Sequence, residues 1–516
     1  MKSFTRIKKI HGKEYEYEIT PYYDKASKQI RQKSKYMGPV LDGKVVEKTV
    51  MTYSYGDLLP VMKVAEKLNL HGILRNIVGE HATTVLILAM NRVIRPEAMN
   101  NVESWYEDSY LKEICPADMR SSNISRVMGA IGKMNPNHGY LREILKVTGG
   151  SDALYYDLTS FSSHSENIDL LEYGYSRSDP DLPQVNVSLV EDRKSEMPIF
   201  YDIYPGSVVD ITTVKNTVEV LKSAGIRDVT FIMDRGMFSS SNIDYLISGN
   251  MDFIMPATYS LNEVKRIALL SRRTVERGSN MIHISGSIIF AEKHKLRVGE
   301  HEINAWVYYD PERDMRERSG FYLSLHERTE SLKKRKVREY ERPKYVAEEI
   351  MGQYMRFVSW KHSRESGSFT VKMRENAVSQ RVNRCGITII TSTGEHDPSD
   401  LLMQYRKRDS VEKLFLFSKS FLGSEPLRVH STATLKGHLF VNMIALAMRS
   451  QILGEMKKTD LAERYSMEKL FLELHKVRKV KLQNGKEIMT EITKRENDIL
   501  EKLSITLDHV PTFITS

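Results

Sequence analysis

ALYYDLTSF (153–161), PQVNVSLVED (183–192) and PIFYDIYPG (198–206) open the stretch whose reading decides the fold. Each is rich in aromatic and β-branched residues and reads as a buried strand. The second and third are joined by a short link, Asp192 to Met197. A helix follows over TTVKNTVEVLKSAG, with Asp210 as its N-cap and Gly225 as its stop. Then come a fourth strand, DVTFIMDRG (228–236), a helix through NIDYLIS and a fifth strand, DFIMPAT. Three strands, helix, strand, helix, strand describe a meander extended by helix-crossover strands, which places the chain among the α/β folds.

Two acids stand out in these strands. Asp157 sits inside an otherwise apolar run, and Asp234 closes another just before Arg235-Gly236. Alternation puts each on the face opposite its large neighbours, Tyr156 and Leu158 for the first, Phe231 and Met233 for the second. A third acid lies far downstream, in YRKRDSVEKLFLFSK (405–419). Tyr405, Arg408, Glu412 and Lys419 are spaced there by three, four and seven. On one helix, at roughly 100° per residue, they share an arc of about 60°. Asp397-Pro398-Ser399-Asp400 caps that helix. Leu401, Phe415 and Leu416 lie on or beside the stripe, so a carboxylate there is costly to desolvate unless it is paired or bound to a metal. A salt-bridged helix face is the plain alternative. If the strand acids converge with Glu412, the pocket is rich in oxygen and suited to Mg²⁺ or Mn²⁺. Two ions about 3.5–4 Å apart in such a pocket serve phosphodiester chemistry.

Composition sets wider bounds. A chain of 516 residues is too long for one core and implies two to four domains. The net charge of +9 and pI near 9.1 suit a polyanionic partner, though the excess is spread over a long chain. Only Cys115 and Cys385 are present, which argues against a disulfide framework and excludes a Cys-rich zinc finger. MKSFTRIKKIHGKEYEYE has no apolar run of a secretory signal. Leu439 to Met448, the most apolar later stretch, is about half the length of a membrane span, so a soluble, cytoplasmic protein without a membrane partner is expected.

The remaining segments fall around the α/β core. Residues 1–50 read as a β-rich arm of short strands with basic and aromatic residues, turning at Gly38-Pro39 and Asp42-Gly43. Residues 51–150 follow helical spacing, as in Leu58, Val61, Val64, Ala65 and Leu68, and form a helical, candidate DNA-binding domain. The core occupies 151–272 and resumes over 386–421. Between them, 273–385 reads as alternating strands, including MIHISGSIIFAEKH, EINAWVYYD and GFYLSLHE, interrupted by the basic run SLKKRKVREYERPKY (331–345). Residues 422–516 read as helical to the end.

Composition does not single out three acids from 67. Asp157 in YYDLTS, Asp234 in DRGMFSSSNIDYL and Y-x2-R-x3-E-x6-K at Tyr405, Arg408, Glu412 and Lys419 resemble the signature blocks of DDE transposases, in particular the insertion-sequence-four superfamily. The link 174–210 and the C-terminal ILEKLSI are similar to one branch of that group. The resemblance implies an RNase H-like core with a β-rich insertion, here within the 178 residues from Asp234 to Glu412. It implies Asp157, Asp234 and Glu412 as catalytic ligands of two Mg²⁺ or Mn²⁺ ions, and Tyr405, Arg408 and Lys419 as contacts to the DNA backbone. Some relatives stack an insertion-domain Trp on a flipped base. Trp306 in NAWVYY is the first choice for that role and Trp360 the second, with packing in the insertion core as the alternative for each. His164 near the first Asp is a further candidate for metal or phosphate contact, and the run 331–345 for DNA contact, the latter alternatively a solvated charge run. The function implied is that of an insertion-sequence transposase. It would bind terminal inverted repeats as a dimer, cleave at the element ends and join them to target DNA. A catalytically silent DNA-binding descendant and an RNase H-like nuclease are the rival readings.

Overall fold

The five core strands are present in the order read from the sequence. They are β1 (Ala153–Ser162), β2 (Gln184–Asp192), β3 (Met197–Pro205), β4 (Thr230–Met233) and β5 (Asp252–Pro256), with α1 (Asp210–Ser223) and α2 (Ser240–Ser248) as the crossovers around β4. In the computed structural model the described residues are all except 1–2, 11–12, 25–28, 42, 46–49, 151, 175–180, 209, 339, 421–426, 483–485 and 508–516. Asp42 of the expected Asp42-Gly43 turn, residues 175–180 of the 174–210 link and the Asp210 side chain lie outside that description. Two compact units divide the chain, one built from residues 1–127 with 451–516 and the other from 128–450.

The second unit holds one nine-stranded sheet. After α3 (Asn262–Ser271) the chain adds β6 (Met281–Ile284), β7 (Ser287–Val298) and β8 (His301–Tyr309), and much later β11 (Ile387–Ser392). The sheet order is β6-β7-β8-β11-β5-β4-β1-β2-β3. β2 and β3 pair antiparallel beside β1, whereas β4 and β5 run parallel to it. That half of the sheet is the RNase H-like arrangement implied by the sequence. Every residue of β1 is buried, as befits a central strand covered on both faces. Over it, α1 presents Val214, Val218 and Leu221, all nearly inaccessible, and Thr213 accepts the Tyr156 hydroxyl at 2.7 Å. Gly225, at φ +89°, stops that helix in the left-handed region as expected.

The β-rich insertion resolves differently from its reading. Its strands β6 to β8 extend the main sheet. What projects between β8 and β11 is mostly helical, with α4 (Pro311–Lys334), α5 (Pro343–Met351), the hairpin β9 (Val358–His362) and β10 (Phe369–Met373), and α6 (Glu375–Val382). GFYLSLHE is therefore helix, not strand. Phe321, Leu323 and Leu325 alternate like a strand, but Leu323 is 59% exposed, and the buried set Phe321, Leu325, Leu332 keeps helical spacing. Asp310 starts the helix by accepting the Arg313 amide at 2.9 Å, with Pro311 in the first turn.

The first unit packs helices Leu58–Lys67, Leu70–Val78 and Ala82–Ile94 through Val61, Ala65, Leu74, Val85 and Ala89. Leu70–Ile94 is apolar enough to span a membrane by composition, but it breaks at Gly79 (φ +57°) and 78% of its apolar 18-residue window is buried. A strand, Val50–Ser54, pairs with Arg478–Leu482, which in turn pairs with Glu487–Met489. The C-terminal segment is thus not helical to its end. RKVKL carries three cations in five residues and hides its alternation behind them. At the N-terminus, Phe4–Ile10, Lys13–Asp24, Gln29–Leu41 and Lys44–Val45 form a four-stranded antiparallel sheet, and its two central strands, of 12 and 13 residues, exceed the short strands expected.

Candidate active site

Strand register brings the first two acids together. β1 and β4 pair in parallel up to Tyr156 opposite Met233, so Asp157 and Asp234 are the next residues on adjacent strands. Asp157 is 9% exposed, and its Oδ1 accepts the Leu158 amide at 2.9 Å. Asp234 leaves β4 with extended backbone and leads into a short turn, Arg235–Met237.

The third acid arrives on α7 (Pro398–Lys407) and α8 (Asp409–Ser420). Asp397 caps α7 by accepting the Ser399 and Asp400 amides at 2.8 and 3.2 Å. Buried Leu401, Leu402, Val411 and Phe415 anchor the pair. The single continuous helix of the sequence reading is corrected here. At Arg408 the ladder tightens, the Arg408 amide bonding to Tyr405 O at 3.1 Å and the Val411 amide to Arg408 O at 3.0 Å. Glu412 nevertheless stays within reach of Arg408, because both flanking segments remain helical.

Arg408 is the hub. Its Nη1 lies 3.3 Å from Asp157 Oδ2, and its Nη2 lies 3.6 Å from Asp234 Oδ1 and in short contact with Glu412 Oε1. The residue is 7% exposed. Burial opposes its charge, but the fields of Asp157, Asp234, Tyr405 and Glu412 outweigh that and raise its pKa. Tyr405 places its ring 5.7 Å from the guanidinium, and burial raises its own pKa, so its hydroxyl is a proton donor at neutral pH. Lys419 Nζ sits 5.4 Å from the ring centre of Phe161, which shares a β1 face with Asp157. The structure therefore brings Asp157, Asp234, Glu412, Arg408 and Tyr405 together, with Lys419 of α8 further off, over Phe161 of β1.

Among the described residues no three Asp, Glu, His or Cys side chains form a cation-sized cluster by themselves. The guanidinium stands between the three carboxylates, as a cation would. Hard carboxylate oxygens gathered around a buried positive charge are the donor chemistry that suits Mg²⁺ or Mn²⁺, so the residues fit such an ion.

The other candidates fare differently. Trp306 is on β8, paired with Lys293 and Ile390 inside the main sheet rather than in the projecting insertion. Lys293 Nζ lies 5.7 Å from its ring, and its indole nitrogen is buried without a hydrogen-bond partner. Trp360 belongs to the β9–β10 hairpin and packs edge-on to Phe369 in the insertion core. His164 is exposed. In the run 331–345, Lys333 pairs with Glu330 at 2.8 Å and Arg335 with Glu341 at 2.6 Å, as solvated charges do. Asp202 lies within β3, and burial raises its pKa. Sequence reasoning missed Glu191. It is 1% exposed on β2 and accepts the Ser410 hydroxyl at 2.8 and 3.0 Å, tying α8 to the sheet. Its only signal was alternation, two residues on from Leu189, the partner of Asp157.

A profile of the transposase DDE domain matches residues 152–448. Among solved structures, a piggyBac transposase synaptic complex with hairpin DNA is similar, with a TM-score of 0.38 and 10% identity, covering 82% of this chain and 80% of that chain. No curated protein matches.

Proposed function

The chain belongs to the transposase DDE family, and from that membership we propose that Asp157, Asp234 and Glu412 are its catalytic carboxylates, acting in cleavage and strand transfer at the ends of an insertion sequence. One observation carries the reading: three acids from distant parts of the chain converge on the single guanidinium of Arg408. The partner is double-stranded DNA, first the terminal inverted repeats and then a target, and synapsis of two ends calls for a homodimer. Residues 51–150 are proposed to carry the helical DNA-binding surface, and 151–272 with 386–421 the catalytic core.

Asp157, Asp234 and Glu412 would hold Mg²⁺ or Mn²⁺, which as two ions supply charge neutralisation at the scissile phosphate and acidify the attacking hydroxyl. The chain's own residues do the positioning. Arg408 offers a planar fork that matches phosphate oxygens. Lys419 adds a second positive charge on the same side, and the protonated Tyr405 hydroxyl donates to a backbone oxygen. Ser410 on Glu191 fixes α8, and so Glu412, against β2. Water or a 3′-hydroxyl then attacks phosphorus as the opposite oxygen leaves.

A supercoiled plasmid carrying the gene's native flanks tests this with wild type and Glu412→Gln. Cuts at the flank boundaries that need Mg²⁺ or Mn²⁺, and that fall at least about 100-fold in the variant while DNA binding persists, are expected. Glu412 is half exposed, so Glu412→Gln should leave stability within about 1 kcal/mol. Binding without cutting under either metal would leave a silent DNA-binding protein, and cuts scattered regardless of the flanks a nuclease.

A further inference from the structure

The N-terminal sheet sorts its side chains by chemistry. Register places Phe4 opposite Ile19, Arg6 opposite Tyr17, Lys8 opposite Tyr15 and Ile10 opposite Lys13, with Tyr36 opposite Tyr17 on the next strand. All of these share one face. On the other, Lys9 faces Glu14, Ile7 faces Glu16 and Glu18 faces Lys35. The acids of the central strand are thus all on the second face, where cross-strand lysines answer two of them. The first face holds Arg6, Lys8 and Lys13 and, among the described side chains, no carboxylate.

The rings on that face are close, with Tyr15 and Tyr17 half-buried. Tyr36 lies 5.5 Å from Tyr17 and 6.0 Å from Tyr15, Lys8 Nζ is 4.7 Å from the Tyr17 ring, and Arg6 is 5.7 Å from the Phe4 ring. Phe4 is 42% and Tyr36 51% exposed. Residues 1–45 carry eleven Lys and Arg against five Asp and Glu, an excess of six in a chain whose whole excess is nine. A sheet normally buries one face. Here neither face is buried, apart from Ile19 on the first, and that first face combines π surfaces with unanswered cations.

We propose that this face is a platform for single-stranded DNA, with Tyr15, Tyr17 and Tyr36 stacking on unpaired bases and Arg6, Lys8 and Lys13 following the phosphates. Its assignment to DNA rests on the transposase reading. Charge complementarity selects the occupant: a second copy would set like charges opposite one another, whereas a polyanion with exposed rings of its own satisfies both features. Paired bases keep their faces inside the duplex, so the rings favour a single strand.

The test uses the full-length chain, a labelled DNA of about 20 nucleotides, its duplex and the same sequence as RNA, in fluorescence anisotropy at several salt concentrations. Arg6→Glu with Lys8→Glu, and separately Tyr17→Ser with Tyr36→Ser, should each weaken single-strand binding about tenfold and duplex binding less. The charge variant should also flatten the salt dependence by about 1.4 in log–log slope, two phosphates at about 0.7 each. Bromodeoxyuridine photocrosslinks on the wild type should map to Tyr15, Tyr17 or Tyr36, a readout that needs no variant to fold. Unchanged single-strand affinity in both variants, crosslinks confined to residues 128–450, or a preference for RNA would overturn the proposal. Flank cleavage, measured on the same preparations, separates the two readings. Crosslinks on the arm without flank cleavage sink the transposase assignment alone; cleavage without arm crosslinks sinks the platform alone.

Discussion

Arg408 stands where three carboxylates would otherwise face one another. Asp157 is nearly buried and cannot shed its charge to solvent, so the guanidinium is the main counterweight on its side of the site. Replacing it with an apolar side chain of similar reach, Arg408→Met, should lower stability by about 3 kcal/mol in metal-free buffer, because a buried carboxylate loses a charged neighbour. The same variant should gain more from millimolar Mg²⁺ than wild type does, since the ion then meets no resident cation. Thermal denaturation with Mg²⁺ and with EDTA checks both; an equal Mg²⁺ response in the two proteins would contradict it. At this scale the sequence was informative where register did the work. Asp157 and Asp234 occupy equivalent positions on parallel neighbours; alternation gave their faces, and the resemblance to the signature blocks selected them. Glu191 escaped because an acid two places beyond a core leucine looks like a strand end until α8 is seen to land on it.

Elements meet most closely at two glycines. A Cβ on Gly132 would lie 1.8 Å from Ala433 O, and one on Gly437 would lie 2.1 Å from Met128 O, so the helices Ser121–Met134 and Thr432–Lys457 touch backbone to backbone. No side-chain rotation relieves either clash. Gly437→Ala should therefore cost about 1–3 kcal/mol by forcing the helices apart, a loss visible as a lower urea midpoint with unchanged slope. A midpoint equal to wild type would mean the helices are not held at this distance. Neither contact could be read from GKM or LKGHLF, since a glycine inside a helical pattern looks the same whether it is crowded or open. Element type was legible where the apolar period was unambiguous, as in ALYYDLTSF. It failed at GFYLSLHE, where an exposed Leu323 imitates alternation, and at YRKRDSVEK, where spacing alone does not report the tightened turn at Arg408.

At the scale of the whole molecule, the first unit is assembled from both ends of the chain, and no local signal announces a pairing across more than 400 residues. His475 marks the junction. Its Nδ1 is 2.7 Å from Asp57 Oδ2 and 3.0 Å from Ser54 Oγ, with Arg478 and Asp108 nearby. The hydrogen bond to Asp57 raises its pKa, against burial and Arg478 and helped by Asp57 and Asp108. A raised folded-state value means the stabilisation is complete below the unfolded value of about 6.5 and is lost as pH climbs through the folded one. As pH rises above about 6, opening of residues 50–127 by hydrogen exchange should become easier in wild type relative to His475→Gln, which keeps His71, its pKa lowered by burial and Arg75 and its titration of the opposite sign; equal slopes would refute the clasp. The acids of this unit with lowered values, Glu113, Asp118, Glu455, Asp460, Glu473 and Asp498, act only in a separate, more acidic window. The same junction sets a clock on synthesis. When residue 450 leaves the ribosome the unit of residues 128–450 has its full sequence, but the segment from residue 451 that belongs to the other unit is still to come. The strand that pairs with Val50–Ser54 ends 32 residues further on, at Leu482, so at about 5–20 residues per second that segment waits roughly 2 to 6 s on a nascent chain for its partner.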